Sequence, residues 1–222
     1  MLNMTVLPKK IRKVETFWRK FPDLYLAGGA VRSLFDGSEV SDYDFFVPSK
    51  ERMLEIKAAL DDYPEGDVVF KCPEDRVYTI THRGSKVQMV WIRDFTTVED
   101  LLSLFDFTVA AAAIERGPSI LEVDENVEVP EDAPTLGIAY YLHTHEDFLT
   151  HIIDRELHPA GTSFNPTGAM LRLQKYGKKG YRATTGMLLA ISRMVVRINE
   201  GEPIPELWSK YNDLGAWNPR VD

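Results

Sequence analysis

The sequence predicts an α+β protein: a head built on a mixed sheet with flanking helices, followed by a helical tail. Three observations carry this expectation. Strand-like and helix-like segments interleave through about residue 125. Residues 125–135 are then acidic and hold Pro130 and Pro134, the composition of a connection. Beyond them apolar residues recur mostly at helical spacing, so helices dominate. The expected division is a head over 1–125 and a helical domain over 126–222.

The elements follow in order. Pro8 suits a first helical turn, and Ile11, Val14, Phe17 and Trp18 recur at helical spacing, which predicts a helix over 8–21. Leu24 to Ala27 reads as a short buried strand, broken by Gly28-Gly29, with a helix from Ala30 to Phe35. Tyr43 to Val47 reads as the next strand, and Pro48 and Ser49 open a helix to about Leu60. Val68 to Phe70, Arg76 to Thr81 and Lys86 to Ile92 are strand candidates. Thr97 to Leu104 is helical with Thr97 as N-cap. The alanines of Phe107 to Ile114 leave strand and helix both open. Helices are expected at about 145–157, 166–178, 184–199 and 204–213.

Composition narrows the function classes. With 44% apolar and 27% charged residues, the 222-residue chain has the makings of a buried core and is neither disordered nor fibrous. No apolar run approaches the roughly 18 residues of a membrane span. One cysteine, Cys72, excludes an internal disulfide and fits a reducing compartment, and no signal-peptide h-region follows the first charges. A cytoplasmic protein without a membrane partner is the expectation. The net charge of −8 conceals an asymmetry. From Leu157 to Asn199 there is no Asp or Glu, while Arg172, Lys175, Lys178, Lys179, Arg182, Arg193 and Arg197 supply seven positive charges.

The chemistry concentrates in Leu26-Ala-Gly-Gly-Ala-Val-Arg32 and Ser41-Asp-Tyr-Asp-Phe-Phe-Val47. Side chains alternate along a strand, so Asp42 and Asp44 share one face and Tyr43 and Phe45 the other. Adjacent carboxylates repel, and a divalent cation removes the conflict. An open, oxygen-rich site of this kind suits Mg²⁺ that keeps waters and shares substrate phosphates. The bland alternative is a strand with two solvated acids. Paired glycines at a strand-to-helix junction let a ligand approach the backbone, and the helix start offers amides to a phosphate. Together these pieces describe a phosphate cradle facing a metal site, the arrangement used for nucleotidyl transfer.

The stretch LAGGAVRSLFDGSEVSDYDFFV resembles the head of the tRNA nucleotidyltransferase (CCA-adding) and bacterial poly(A) polymerase family, within the polymerase-β-like nucleotidyltransferase superfamily. Phe105-Asp-Phe-Thr-Val109 is similar to that family's Arg-Arg-Asp-Phe-Thr motif, and Leu171 to Tyr181 to its neck segment. The resemblance implies a metal-dependent nucleotidyltransferase moving an NMP from an NTP to an acceptor hydroxyl, first of all an RNA 3′ end. Asp42 and Asp44 would be catalytic and would hold Mg²⁺, as two ions, with Mn²⁺ an alternative. Gly28 and Gly29 would hold the triphosphate, and Arg32 would face the same phosphates or the acceptor. Asp106 and Thr108 would sit near the ribose. Arg172 and Lys175 would face the nucleotide or the acceptor from the neck. The basic run adds Lys178, Lys179 and Arg182 as RNA contacts, with Tyr176 and Tyr181 placed to stack a base.

The departures matter equally. Leu104-Phe105 replaces the tandem arginine, and Asn165 to Ala169 stands where the base-reading acid and arginine are expected. A third carboxylate is missing from the strand Lys86 to Ile92, which carries Gln88; Asp94 or Asp106 would have to substitute. These losses favour two alternatives: transfer to a protein side chain or small molecule, and a non-catalytic nucleic-acid-binding module on the same fold. The chain also stops soon after the neck segment, a shortening that would suit a phage genome, though the sequence leaves cellular and phage origins both open. His143, His145, His151 and His158 form a weaker zinc candidate, for which surface or linker histidines are the simpler reading. Trp208, Tyr211 and Trp217 are expected in a core or a self-association surface.

Overall fold

The computed structural model describes residues 2–4, 7–61, 66–71, 76–119, 138–161 and 165–201. Cys72, the 125–135 segment, the 204–213 helix and the tryptophans at 208 and 217 lie outside the described residues. The chain forms two compact units that are not contiguous in sequence. The first comprises Met1–Val98 and Ala112–Thr144, the second Glu99–Ala111 and His145–Asp222.

The first unit is built on an eight-stranded mixed sheet. Its strands are β1 (Leu2–Met4), β2 (Tyr25–Ala27), β3 (Tyr43–Phe46), β4 (Gly66–Lys71), β5 (Val77–His82), β6 (Ser85–Val90), β7 (Ala112–Ser119) and β8 (Ile138–Thr144). Their order across the sheet is β1-β8-β7-β2-β3-β6-β5-β4. β3 and β6 run parallel, and the other neighbours are antiparallel. Helices α1 (Lys9–Arg12), α2 (Glu15–Lys20), α3 (Gly29–Asp36) and α4 (Lys50–Asp61) accompany the sheet.

The single helix expected over 8–21 is two short ones. The break falls at Val14, whose backbone sits near φ −109° and ψ 10°, outside the helical well. The expected apolar face survives the break, since Ile11, Val14, Phe17 and Trp18 are all fully buried. Two strands of this sheet went unread in the sequence. β8 lies where a connection gives way to helices, and it returns the chain to the head's sheet beside β7. β1 pairs with β8 at the sheet edge.

This core orients the site. Phe17 and Trp18 of α2 pack on Phe45 of β3 at ring separations of 5.2 and 5.3 Å. The Trp18 indole N–H donates to the Leu24 carbonyl at 2.8 Å, so the one polar atom of that ring is satisfied. Tyr43 and Phe45 are buried on this face. Alternation along β3 therefore turns Asp42 and Asp44 the other way, where both are half-buried.

The second unit holds the greater part of α5 (Val98–Leu102), a 3₁₀ turn (Thr108–Ala110), α6 (Phe148–Asp154), β9 (Glu156–Leu157), α7 (Pro166–Gly177), β10 (Arg182–Ala183) and α8 (Thr185–Asn199). The ambiguous Phe107 to Ile114 segment resolves into that turn followed by the start of β7. α7 starts where the sequence expects it: Asn165 caps the helix by accepting from the Gly168 N–H at 3.0 Å, and Pro166 fills the first turn. Asn165 to Ala169, the segment standing in place of the base-reading motif, thus serves a helix start. β9 and β10 form a small parallel pair.

Candidate active site

The first unit places the diglycine bend beside the aspartates. β2 and β3 pair so that Ala27 lies opposite Asp44, and Gly28 follows at once. Gly28 adopts φ +74°, a left-handed conformation that glycine takes without strain. Its N–H donates to the Ala112 carbonyl at 3.0 Å, so this amide belongs to the fold and not to a ligand. Gly29 opens α3, and a Cβ built there meets nothing within 4 Å. The amides of the first turn have no acceptor inside the helix.

Around the acids, Ser41 donates its hydroxyl to Asp42 Oδ1 at 2.7 Å, and Lys86 Nζ stands 3.8 Å from Asp42 Oδ2. Gln88 of β6 lies directly opposite Asp44 in the parallel register. Its amide reaches both carboxylates when the NH₂ is turned toward them, at 3.3 Å from Asp42 Oδ2 and 3.1 Å from Asp44 Oδ1. Gln88 therefore faces both aspartates. The suggested substitutes are committed elsewhere. Asp94 Oδ1 accepts the Lys50 N–H at 3.1 Å and the Trp91 indole N–H at 2.9 Å, at the start of α4. Asp106 belongs to the second unit.

The two carboxylates supply oxygen donors, which suit a hard cation that arrives with phosphate ligands of its own. Among the described residues no group of three His, Cys, Asp or Glu side chains could hold a metal without such help. His143, His145, His151 and His158 are among the described residues and are part of no such group.

Arg32 is turned along its own helix. It is 2% exposed, and its Nε donates to Asp36 Oδ2 at 2.9 Å, one helical turn along α3. A guanidinium in this position braces the helix behind the diglycine bend.

In the second unit, Asp106 and Arg172 come together across 66 positions of sequence. Arg172 donates from Nε to Asp106 Oδ2 at 2.6 Å, and its Nη2 also contacts that oxygen. Burial pushes the Asp106 carboxyl up from the ordinary carboxylate range, and the Arg172 guanidinium pulls it back. Gly168 makes room for this pair, since a Cβ there would stand 2.9 Å from Arg172 Nη2. Asp106 and Arg172 thus form an ion pair within this unit. Thr108 is likewise buried, its hydroxyl 2.8 Å from His151 Nδ1.

The basic run divides. Arg182 pairs with Glu156 at 2.7 Å, while Lys175 and Lys178 are exposed and Lys179 is half-buried. Tyr176 and Tyr181 do not offer a stacking platform. Both are buried, edge-on to one another at 5.6 Å, and Tyr176 packs on Phe107 at 5.4 Å.

A polar relay that the sequence reading missed links these elements. The His151 and His158 rings stack in parallel at 3.7 Å. His158 Nε2 lies 3.0 Å from Glu156 Oε2. The bonds from His158 and then Arg182 hold the Glu156 carboxyl below its ordinary range. Burial, with His158 and His145 adding to it, holds the His151 imidazole below its ordinary value against the opposing charges of Asp147 and Glu156. The unfolded chain therefore takes up a proton at His151 more readily than the folded one. Stability from this residue is complete above about pH 6.5 and is lost as the pH falls beneath it. Thermal melts between pH 7.5 and 5.5 are expected to show a steeper loss in the wild type than in His151→Gln; equal slopes would remove His151 as the source.

These features define a class. An eight-stranded mixed sheet with an aspartate pair beside a diglycine bend has the nucleotidyltransferase head fold seen in CCA-adding enzymes. The chain is similar to a CCA-adding enzyme in complex with ATP (TM-score 0.59, 19% identity, 88% of this chain and 44% of that one). It is similar to a tRNA nucleotidyltransferase complexed with a primer tRNA and an incoming ATP analogue (TM-score 0.56, 18% identity, 85% and 52%). It is also similar to the Thermotoga maritima CCA-adding enzyme complexed with tRNA (TM-score 0.56, 19% identity, 84% and 42%).

Within that fold the chain belongs to the Gabija anti-defense 2 family, whose description matches residues 4–155. Over 165 residues it is 28% identical to Gabija anti-defense 2 of Bacillus phage SPbetaL7, covering 70% of this chain and 33% of that relative. The chain thus spans a third of the length of that relative and about half or less of these solved enzymes. The likeness to the CCA-adding group holds for the fold, and the expected family is corrected accordingly. Among the described residues no helix is long and apolar enough to cross a membrane.

Proposed function

We propose that this protein is a metal-dependent nucleotidyltransferase that moves an NMP from an NTP to an acceptor hydroxyl, and that the acceptor is a protein side chain of the defence machinery its family is named for countering. The observation that carries the transfer chemistry is the Asp42–Asp44 pair, set one residue in register from the Gly28 bend. The acceptor oxygen bonds the α-phosphorus, the bond from that phosphorus to the bridging oxygen breaks, and pyrophosphate leaves. The hydroxyl proton passes to water. Asp42 and Asp44 would hold Mg²⁺, which supplies charge neutralisation on the triphosphate and a more acidic acceptor hydroxyl when bound. Gly29 and the first turn of α3 would receive the phosphates in the open space at that position.

Two observations support a protein acceptor over the RNA 3′ end first expected. The base-reading residues are replaced by a helix start at Asn165–Ala169, and Tyr176 and Tyr181 are buried. The second reading, an RNA acceptor, is favoured by the exposed Lys175 and Lys178 within an acid-free stretch. Incubation with each α-³²P-labelled NTP and Mg²⁺, with host protein extract or total RNA as acceptor, separates them. Label in a protein band supports the first reading, label in RNA the second. Nucleotide binding with no pyrophosphate release in any mixture would leave a binding module.

Gly29→Ala is a further check on the phosphate cradle. Gly29 has ordinary helical backbone and open space, so alanine should leave stability unchanged or raise it by about 0.5 kcal/mol. The added methyl group points into the space assigned to the triphosphate. Nucleotide affinity by calorimetry is expected to fall while the melting temperature does not; unchanged affinity would place the phosphates elsewhere.

A further inference from the structure

Gln88 stands opposite Asp44 on one side and opposite Thr79 on the other, fixed by the registers of β6 with β3 and β5. Its planar amide can occupy the same volume in two orientations. In the first, the NH₂ donates to Asp42 Oδ2 at 3.3 Å and Asp44 Oδ1 at 3.1 Å, and the carbonyl oxygen accepts from the Thr79 hydroxyl at 2.9 Å. A half-turn of the amide would instead set the NH₂ against Thr79 Oγ1, since the two positions of the group coincide. The same half-turn would bring the carbonyl oxygen to the place that faces both carboxylates. A threonine hydroxyl both donates and accepts, so Thr79 serves either orientation equally.

The choice between orientations therefore depends on what lies between Gln88 and the aspartates. With nothing there, three oxygens facing one another repel, and the NH₂-outward orientation wins. With a cation there, the NH₂-outward orientation is repelled, and three converging oxygens become ligands. Neighbouring oxygens around an octahedral cation with bonds of 2.0–2.1 Å stand about 2.9 Å apart. The separations of 3.1 and 3.3 Å at Gln88 lie within a few tenths of an ångström of that edge.

We propose that Gln88 is a reversible third arm of the cation site. Its amide donors hold Asp42 and Asp44 together in the empty site, and a half-turn presents its carbonyl oxygen when the ion arrives. This rests on the reading of the aspartate pair as a nucleotidyl-transfer site and adds a regulation to it. A glutamine in place of a third carboxylate leaves the site with one negative charge fewer, and Lys86 near Asp42 reduces its field further. A free cation also has to displace the amide donors. Tight binding therefore waits for a triphosphate, whose own charge draws the ion in, so ion and nucleotide load together.

The test is Mn²⁺ binding to the full chain, followed by electron paramagnetic resonance with and without a non-hydrolysable ATP analogue. Gln88→Glu is expected to bind Mn²⁺ alone at least about tenfold tighter than wild type. Gln88→Leu is expected to bind Mn²⁺ with the analogue about tenfold more weakly. A glutamine that only clamps the acids predicts the opposite sign, because leucine would free both carboxylates. Unchanged or tighter binding by Gln88→Leu thus overturns the proposal. In the wild type, the side-chain ¹⁵N–¹H resonances of Gln88 should shift on titration with Mg²⁺ and the analogue, and static resonances overturn it too. Should Gln88→Leu fail to fold, the Gln88→Glu affinity and these resonances still decide. Equal Mn²⁺ binding by wild type and Asp44→Asn would overturn the nucleotidyl-transfer reading itself. Loss in Asp44→Asn with none in Gln88→Leu would overturn the role of Gln88 alone.

Discussion

Arg172→Ala is expected to destabilise the second unit by about 3 kcal/mol, because it strands a buried carboxylate without its cation. The Asp106 side chain is 4% exposed, and the Arg172 guanidinium contacts its Oδ2 from two nitrogens. Breaking such a pair from one side costs more than the pair contributes, since the remaining charge keeps its desolvation penalty. Two things hold the figure at the lower end. Arg172 is itself 35% exposed, so water screens part of the interaction. Asp106 can also take up a proton, and burial already pushes its carboxyl upward.

That second route gives the prediction a pH signature. In the variant the folded carboxyl titrates well above the unfolded one, so the folded state binds the proton more tightly. The penalty is then absent below the unfolded value near pH 4 and grows as the pH rises through the folded value. The stability gap between wild type and Arg172→Ala, from urea melts at pH 8 and pH 5, should therefore narrow at the lower pH. Arg172→Lys keeps a charge but not the two-nitrogen geometry, and should fall between. A gap under 1 kcal/mol at pH 8 would mean that Asp106 finds another donor or is already protonated.

This ion pair also marks the limit of what the sequence made legible. Asp42 and Asp44 were readable because strand alternation is local: Tyr43 between them is buried at 4% exposure while both acids turn outward. The diglycine bend was readable for the same reason, the glycines falling where a strand must give way to a helix. Asp106 and Arg172 are 66 residues apart, and nothing local says that two residues resembling nucleotide-binding ones would choose each other. Gly168 held a clue, lying four residues before Arg172 on one helix face, but its meaning requires knowing where the guanidinium points. Gln88 was noticed as a missing acid, yet its reach to both carboxylates depends on the register of a parallel strand pair, which arises only from the assembled sheet. β8 was lost because its Ala139 to His143 stretch follows an acidic, proline-bearing connection. Its aromatic, strand-favouring composition was the available signal.

The largest effect on activity is expected at the aspartates. Asp44→Asn should lower Mg²⁺-dependent NMP transfer by at least about a thousandfold while the protein still unfolds cooperatively. The magnitude follows from the loss of a charged ligand where the cation supplies several kcal/mol of charge stabilisation, each 1.4 kcal/mol being a factor of ten. Fold retention follows from shape: asparagine matches aspartate in volume, and its carbonyl can still accept from the Gln88 amide in the NH₂-outward orientation. Asp42→Asn should act in the same direction, with Ser41 and Lys86 left beside a neutral group. Because both acids would serve one ion, the double variant should be little worse than either single one, the non-additivity of residues that act as a unit. Label transfer from α-³²P-NTP, normalised to protein that melts like wild type, measures all three. Independent, multiplicative losses would mean that the two carboxylates do separate jobs, and wild-type transfer by the double variant would remove the active site from this face of the sheet.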